Sequence, residues 1–164
     1  LGLNFLILFI TEVFMTKIMF VCHGNICRSP MAQFVMQDMV DKMGLHDEFY
    51  ISSAATSTEE IGNPVHPGTR RKLAENGISC DGKRAVQIKA ADYDRYDYII
   101  VMDSLNMRNL RRIIKNDDKY KIHKLLDFSS GGDIADPWYT GNFDVTYSDI
   151  ARGCRGLIEH MRRV

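Results

Sequence analysis

The ten residues VCHGNICRSP, at positions 21–30, decide the fold because they join two segments of different periodicity. Before them, residues 17–22 (KIMFVC) form a short apolar run with β-favouring side chains, which predicts a buried strand. After them, apolar residues recur at helical spacing as far as Gly44, with Ser29 as the expected N-cap and Pro30 as the first helical residue. A strand that leads through a short loop into a helix is the repeating unit of an α/β sheet.

The same alternation continues along the rest of the chain. Further strands are predicted at residues 50–54, 97–102 and 122–126, and further helices at residues 66–76, 104–115 and 145–163. The segments at 52–68 and 128–143 are rich in Gly, Pro, Ser or Thr and are predicted to be loops. Strands that alternate with helices predict βαβ crossovers, and therefore a single α/β domain with a four-stranded parallel sheet and helices on both faces.

Composition and charge exclude several classes of protein. The chain has 164 residues, of which 45% are hydrophobic and 26% are charged, a mixture typical of a folded soluble domain and not of a disordered chain. Lys plus Arg and Asp plus Glu both number 21, so the basic excess of a nucleic-acid-binding protein is missing. Four cysteines are too few for a disulfide scaffold, which favours a reducing, cytoplasmic environment.

The first fourteen residues (LGLNFLILFITEVF) are the most apolar segment of the chain. No Lys or Arg precedes their apolar centre and no small-residue cleavage site follows it, so they do not fit a signal peptide. They are also too short to span a bilayer, and we expect no membrane association. We therefore expect residues 1–14 to be a non-native or disordered extension that packs poorly, and residues 15–164 to form the domain.

The loop after the first strand has the residues of an anion-binding site. Backbone N–H groups at a helix N-terminus attract anions, and Gly24 and Asn25 tolerate the irregular backbone angles that such a nest needs. Cys22 lies at the mouth of the nest, where the same N–H groups stabilise a thiolate. Arg28 offers a planar fork for two oxygens of a phosphoryl group, and Ser29 either donates to the thiolate or caps the helix. These residues predict a nucleophile beside an oxyanion cradle and a cation.

Residues 21–30 closely resemble the signature V-C-x-G-N-I-C-R-S-P of the low-molecular-weight protein tyrosine phosphatases, with His23 at the variable position. Further similarity lies at 52–56 (SSAAT), 62–64 (GNP), 98–103 (YIIVMD) and 136–139 (DPWY), in the same order from about Thr16 to the C-terminus. With this resemblance, we expect the sheet to have the flavodoxin-like strand order 2-1-3-4.

The resemblance implies a phosphotyrosine protein phosphatase that hydrolyses aryl phosphate monoesters through a phosphocysteine intermediate on Cys22. Arg28 is then the residue that binds the phosphoryl group, and Asp136 protonates the leaving group and later activates water. Pro137 restricts Asp136 to extended backbone angles. Thiolate displacement of this kind requires no metal and no cofactor. The expected partners are phosphotyrosine-containing proteins or small aryl phosphates, and we expect a monomer or a weak homodimer.

The resemblance also implies roles for the neighbouring residues. The phosphate-binding loop comprises His23, Gly24, Asn25, Ile26, Cys27 and Ser29. Ser53 is expected to support this loop by a hydrogen bond to Asn25, and Trp138 and Tyr139 to form the rim of the substrate cleft. Cys27 is implied as a redox partner of Cys22 in a reversible disulfide, although it could equally fill space beneath the loop.

The chain departs from the family pattern at three places. Trp138 stands where the family usually has a tyrosine, which should affect the choice of substrate. The segment 57–60 (STEE) lacks the aromatic residue that usually forms one side of the substrate slot, and its two glutamates should disfavour acidic peptides. Lys83 replaces the histidine that usually joins the network of Asn and Ser side chains.

Two other functions fit the same loop. An arsenate reductase of this fold relays a disulfide through two further cysteines close together, whereas Cys80 stands alone in its region and Cys154 is far away in the last helix. A non-catalytic phosphate-binding module would usually have lost Cys22, Arg28 or Asp136, and all three are present. Both alternatives are less consistent with the sequence than a phosphatase.

Overall fold

The central sheet consists of four strands, β1 (Thr16–Cys22), β2 (Phe49–Ala55), β3 (Tyr98–Val101) and β4 (Ile122–Lys124). In the computed structural model, which describes residues 14–163, all neighbouring strands are parallel and their order is β2-β1-β3-β4. The predicted fold class, a single α/β domain with this strand order, is therefore confirmed.

In this described part of the chain, six helices surround the sheet: α1 (Arg28–Lys42), α2 (Pro67–Glu75), α3 (Asp92–Arg95), α4 (Ser104–Leu110), α5 (Pro137–Thr140) and α6 (Phe143–Arg162). Two short 3-10 turns, His46–Glu48 and Leu125–Phe128, precede β2 and follow β4. Neither α3 nor α5 was expected, since each is a single turn in a segment without helical periodicity.

The sheet is buried on both faces, as predicted. Ile18 and Phe20 of β1 pack in the core cluster that includes α1 and α6, whereas Met19 and Val21 pack in a second cluster with residues of α4. Successive side chains of a strand point to opposite faces, so β1 contributes to both cores. Because each face is covered, the strand can be apolar throughout without exposing side chains to solvent.

The predicted start of α1 is two residues too late. The helix begins at Arg28 with Cys27 in the N-cap position, and no side chain caps it. Ser29 is not the N-cap because its hydroxyl oxygen lies 3.0 Å from the sulfur of Cys22. Serine is a favoured N-cap residue, but the hydroxyl of Ser29 instead contacts the thiol of Cys22.

Two other predicted elements are too long. Helix α4 ends at Leu110 and not near residue 115, because the N–H groups of Arg112 and Ile113 bond to the carbonyls three residues before them and the chain tightens into turns. Strand β4 ends at Lys124, where the 3-10 turn begins.

The carboxyl ends of β1 and β3 lie side by side, with Val21 opposite Val101. The loops that follow these two strands therefore begin at the same edge of the sheet, which is where ligands bind in open α/β folds. The phosphate-binding loop starts there after Cys22.

The prediction for residues 1–14 falls outside the described residues, except for Phe14, which is exposed. In the described part of the chain, no helix combines the length and the apolar character needed to cross a membrane.

Candidate active site

The backbone of the loop between β1 and α1 turns its carbonyl groups outward. The carbonyl of His23 accepts a hydrogen bond from the N–H of Ser57 (3.0 Å), and the carbonyl of Ile26 accepts one from the N–H of His66 (2.9 Å). Within residues 14–163, the N–H groups of residues 24–28 find no protein acceptor. The loop therefore offers a group of free donors at the N-terminus of α1, as an anion nest requires.

Asn25 holds the shape of this loop from behind. Its φ of 58° lies in the left-handed region, and its side chain is buried. The amide donates to the hydroxyls of Ser29 (2.8 Å) and Ser53 (2.9 Å) and accepts from the N–H of Val86 (3.1 Å). The Ser53 hydroxyl in turn donates to the amide oxygen of Gln33 (2.5 Å), a residue that sequence reasoning missed. The unfavourable angle at Asn25 is stabilised by a hydrogen bond at every polar atom of its side chain.

Gly24 serves a different purpose from the one predicted. It does not adopt a positive φ. A Cβ atom at this position would lie 3.3 Å from Cγ of Glu60, so the glycine leaves room for that side chain to approach the loop.

The sulfur of Cys22 lies among hydrogen-bond donors. The hydroxyl of Ser29 is 3.0 Å from it and the N–H of Ser29 is 3.4 Å from it. Since the amide of Asn25 already donates to that hydroxyl oxygen, the hydroxyl proton points either at the sulfur or at the carbonyl oxygen of Ala54, which is 3.4 Å away. This arrangement stabilises a thiolate at the start of α1.

Cys27, the second cysteine of the loop, has a different environment. It is buried at the N-cap of α1. Burial raises the pKa of the Cys27 thiol to about 12, and negative charge on Cys22 and Asp136 adds to the effect. Cys27 therefore stays protonated at neutral pH, which leaves Cys22 as the nucleophile of the pair.

The guanidinium of Arg28 is buried and is held by three oxygen atoms. Nη1 donates to a carboxylate oxygen of Asp103 (2.5 Å) and to the carbonyl of Ile134 (2.8 Å), and Nη2 donates to Asp136 (3.2 Å). Burial disfavours the charged guanidinium, but negative charge on Cys22, Asp103 and Asp136 outweighs it and raises the pKa of Arg28. The orientation of the cation is therefore fixed before any ligand binds.

Sequence reasoning missed the part that Asp103 plays in the site, because Asp103 was noted only as the last residue of the similar segment 98–103. One of its oxygens caps α4 by accepting from the N–H of Asn106 (2.7 Å), and the other accepts from Arg28. The sequence signal that could have identified Asp103 as a site residue was its position just after β3, the strand that pairs with β1.

Asp136 lies at the start of α5 with extended backbone angles (φ −80°, ψ 113°), as Pro137 was expected to impose. One carboxylate oxygen caps the helix by accepting from the N–H of Trp138 (3.0 Å), and the other contacts Arg28. The structure thus brings Asp136 to the phosphate-binding loop from more than a hundred residues away in sequence.

These groups surround one cleft of about 130 Å³. Its lining comprises Cys22, His23, Gly24, Ile26, Cys27, Arg28, Glu59, Glu60, Asp136, Trp138 and Tyr139. Trp138 and Tyr139 are 58% and 84% exposed, so they stand at the rim, while Asn25, Ser29 and Ser53 lie buried behind the loop. Across the rim, the imidazole of His23 contacts the carboxylate of Glu59 at 2.9 Å.

The other cysteines do not reach this cleft. Cys80 and Cys154 are free and buried in the core cluster that contains α1 and α6. Within residues 14–163, no group of three or more His, Cys, Asp or Glu side chains has the arrangement of a metal site.

Comparisons with known proteins agree with this geometry. The family model for low molecular weight phosphotyrosine protein phosphatases matches residues 17–164. The chain is 41% identical to the low molecular weight protein-tyrosine-phosphatase YfkJ of Bacillus subtilis, over 91% of this chain and 97% of that protein, and 37% identical to PtpA of Staphylococcus aureus, over 90% and 94%. The crystal structure of YfkJ superposes with a TM-score of 0.87 and covers 91% of this chain and 96% of the other. The phosphatase SP-PTP of Streptococcus pyogenes superposes with a TM-score of 0.80 at 42% identity and covers 90% and 93%.

Proposed function

The chain belongs to the low molecular weight phosphotyrosine protein phosphatase family, and from this premise we propose that it hydrolyses phosphotyrosine through a phosphocysteine formed on Cys22. The observation that carries the proposal is the convergence of Cys22, Arg28 and Asp136 on one cleft. Each of the three contributes a different part of the reaction.

In the first step, the thiolate of Cys22 attacks phosphorus and the bond from phosphorus to the tyrosine oxygen breaks. The N–H groups of residues 24–28 and the guanidinium of Arg28 bind the equatorial oxygens, where negative charge is held in the transition state. The three contacts of the guanidinium leave its Nε–H and the second N–H of Nη2 free to bind the phosphoryl group. The carboxyl group of Asp136, in its protonated form, transfers a proton to the departing phenolate.

In the second step, Asp136 accepts a proton from water while that water attacks the phosphocysteine. The bond from sulfur to phosphorus breaks, inorganic phosphate leaves, and the thiolate of Cys22 is restored. Neither step requires a metal or a cofactor, because Arg28 and the loop N–H groups neutralise the phosphoryl oxygens.

The rim supports flat aromatic substrates. Trp138 and Tyr139 offer exposed rings for stacking on a phenyl group, which favours phosphotyrosine-containing proteins or small aryl phosphates. We place the protein in the cytoplasm, because all four cysteines are free and the nucleophile needs a reducing environment. We propose that the protein acts as a monomer or a weak homodimer, because Cys22, Arg28 and Asp136 of one chain already meet in the cleft.

Cys27 completes the proposal as a redox partner. A hydroperoxide would oxidise the thiolate of Cys22 to a sulfenic acid, and the thiol of Cys27 would then displace water to form a disulfide. The step reverses when a cellular dithiol reduces the disulfide, so the nucleophile is protected from irreversible oxidation. The supporting observation is that Cys27 lines the same cleft as Cys22.

The test is hydrolysis of p-nitrophenyl phosphate near pH 6 in the presence of EDTA. We expect Cys22→Ser to abolish turnover, and Asp136→Ala to reduce kcat by about two orders of magnitude or more. Cys80→Ser and Asp133→Ala are matched controls outside the cleft and should retain activity. Turnover in Cys22→Ser would contradict the assigned nucleophile. An inactive wild-type protein would favour the non-catalytic module, or the reductase if arsenate is consumed with a thiol reductant.

A further inference from the structure

Lys83 is the half-buried cation behind the phosphate-binding loop that the proposed mechanism does not use. Its ammonium group donates a hydrogen bond of 2.9 Å to the carbonyl of Ser53. Ser53 is also the residue whose hydroxyl accepts from Asn25, which in turn contacts Ser29 beside the nucleophile. Lys83 is thus connected to the sulfur of Cys22 through the backbone carbonyl of Ser53 and then the side chains of Ser53, Asn25 and Ser29.

The segment that carries Lys83 is held on two sides. The N–H of Ala85 bonds to the carbonyl of Asn63 (2.9 Å), and the N–H of Ala55 at the end of β2 bonds to the carbonyl of Val86 (2.7 Å). Val86 also donates its N–H to Asn25 of the loop. The backbone next to Lys83 therefore has little freedom, and the ammonium is fixed relative to the loop.

The ammonium has an unusual electrostatic environment. Within residues 14–163, no carboxylate lies within ion-pair distance of it, and its hydrogen-bond acceptor is a neutral carbonyl. Burial lowers the pKa of Lys83 from 10.5 to about 8, and the charge of Cys22 acts in the opposite direction. A lysine that is half-buried without a carboxylate partner costs stability, and such groups concentrate at functional sites.

The interaction between the two groups is reciprocal. If the thiolate of Cys22 favours the ammonium form of Lys83, then the ammonium favours the thiolate by the same free energy. The other charged or titratable groups near the nucleophile are Asp103, which contacts Arg28, and the residues that line the cleft: His23, Cys27, Arg28, Glu59, Glu60, Asp136 and Tyr139. Among these Arg28 is the permanent cation, and it is already engaged by two carboxylates.

We propose that Lys83 is a second cation of the active site, fixed on the carbonyl of Ser53, which stabilises the thiolate form of Cys22 from behind the phosphate-binding loop. It is a positioning residue and does not touch the substrate. The proposal rests on the function proposed above, because it assigns the thiolate of Cys22 as the nucleophile.

The test measures the thiolate directly and does not depend on turnover. The rate of alkylation of Cys22 by iodoacetamide is followed by mass spectrometry as a function of pH, with Cys22→Ser as the blank. In Lys83→Met we expect the midpoint of this profile to rise by about one pH unit, since a nearby opposite charge shifts an ionisation by about one to three units. Below the midpoint, the alkylation rate should therefore fall about tenfold.

Three variants make the result specific. Lys83→Arg keeps the charge and should remain within about threefold of the wild-type rate. Lys89→Met removes an exposed lysine from the same segment and should leave the profile unchanged. If Lys83→Met does not fold, Lys83→Gln provides the same measurement. A wild-type midpoint in the neutral variants, or an equal shift in Lys83→Arg, would overturn the proposal. A normal alkylation profile in a wild-type protein without phosphatase activity would instead refute the proposed function.

Discussion

The contact between Arg28 and Asp103 predicts a loss of both stability and activity when its charge is removed. The two side chains are only 3% and 18% exposed, and their hydrogen bond is 2.5 Å long. In Asp103→Asn, the oxygen that caps α4 can remain while an amide group replaces the carboxylate oxygen that faces Arg28. The variant therefore separates the ion pair from the helix cap.

The expected magnitude follows from the burial of the pair. Removing one partner of a buried ion pair costs about 3–5 kcal/mol. Asp136 and the carbonyl of Ile134 still contact Arg28, so we expect the lower end of this range, about 3 kcal/mol, in the free energy of unfolding. The guanidinium would also lose its fixed orientation toward the phosphoryl oxygens, which should lower kcat/KM by about tenfold to a hundredfold.

Urea unfolding followed by circular dichroism gives the first quantity, and hydrolysis of p-nitrophenyl phosphate gives the second. Asp133→Asn is the matched control, because it removes the same charge from a partly exposed pair with Lys124 at 3.0 Å. That pair should contribute at most about 1 kcal/mol, and its loss should not affect activity. Wild-type stability and wild-type kcat/KM in Asp103→Asn would refute the reasoning that Asp103 holds Arg28 in place.

Three further predictions concern the nucleophile, the rim and the buried lysine. Ser29→Ala removes the hydroxyl that lies 3.0 Å from the sulfur of Cys22. It should lower kcat/KM by about tenfold or more, because a hydrogen bond to a charged group contributes about 1.5–3 kcal/mol. An unchanged kcat/KM would show that the hydroxyl does not act on the thiolate. Replacing both Glu59 and Glu60 by Gln should raise kcat/KM several-fold for phosphotyrosine peptides with acidic neighbours and leave neutral peptides unaffected, and the gain should shrink at high salt. Burial lowers the pKa of Lys83 from 10.5 to about 8, so between these two pH values the unfolded state binds more protons than the folded state. The free energy of unfolding of the wild type should therefore increase, relative to that of Lys83→Met, as the pH rises from 8 to 10.5. Urea unfolding across that range measures the last effect, and a constant difference between the two proteins would contradict it.

The sequence was sufficient for the α/β class and for the loop that carries Cys22 because both depend on local patterns, whereas the strand order came from the resemblance to a known family. The apolar run before Cys22 and the helical periodicity after Pro30 are adjacent in the chain, and together they determine a strand, a loop and a helix. Asp136 was found by its resemblance to a known motif, and no local pattern would have placed it beside Arg28.

The contacts that sequence reasoning missed join residues far apart in the chain. Asp103 contacts Arg28 across 75 positions, and Gln33 contacts Ser53 across 20. Lys83 was noted as a departure from the family pattern, but its contact with the carbonyl of Ser53, 30 positions away, was not foreseen. Each of these residues has an ordinary local role, as a helix cap, a helix residue or a turn residue. The order of the strands places Ser53 of β2 on one side of β1 and the end of β3, which Asp103 follows, on the other side.

The three oxygen atoms around Arg28 have a consequence for selectivity among anions. Three of the five N–H groups of the guanidinium are occupied, so Nε–H and the second N–H of Nη2 remain free and lie side by side as a planar fork. A chloride ion has no pair of oxygens that matches this fork, whereas a phosphoryl group can place two oxygens on it and another on the N–H groups of the loop. The three occupied donors thus select ligands by shape. This selection should allow the enzyme to work among the abundant chloride ions of a cell without being occupied by them.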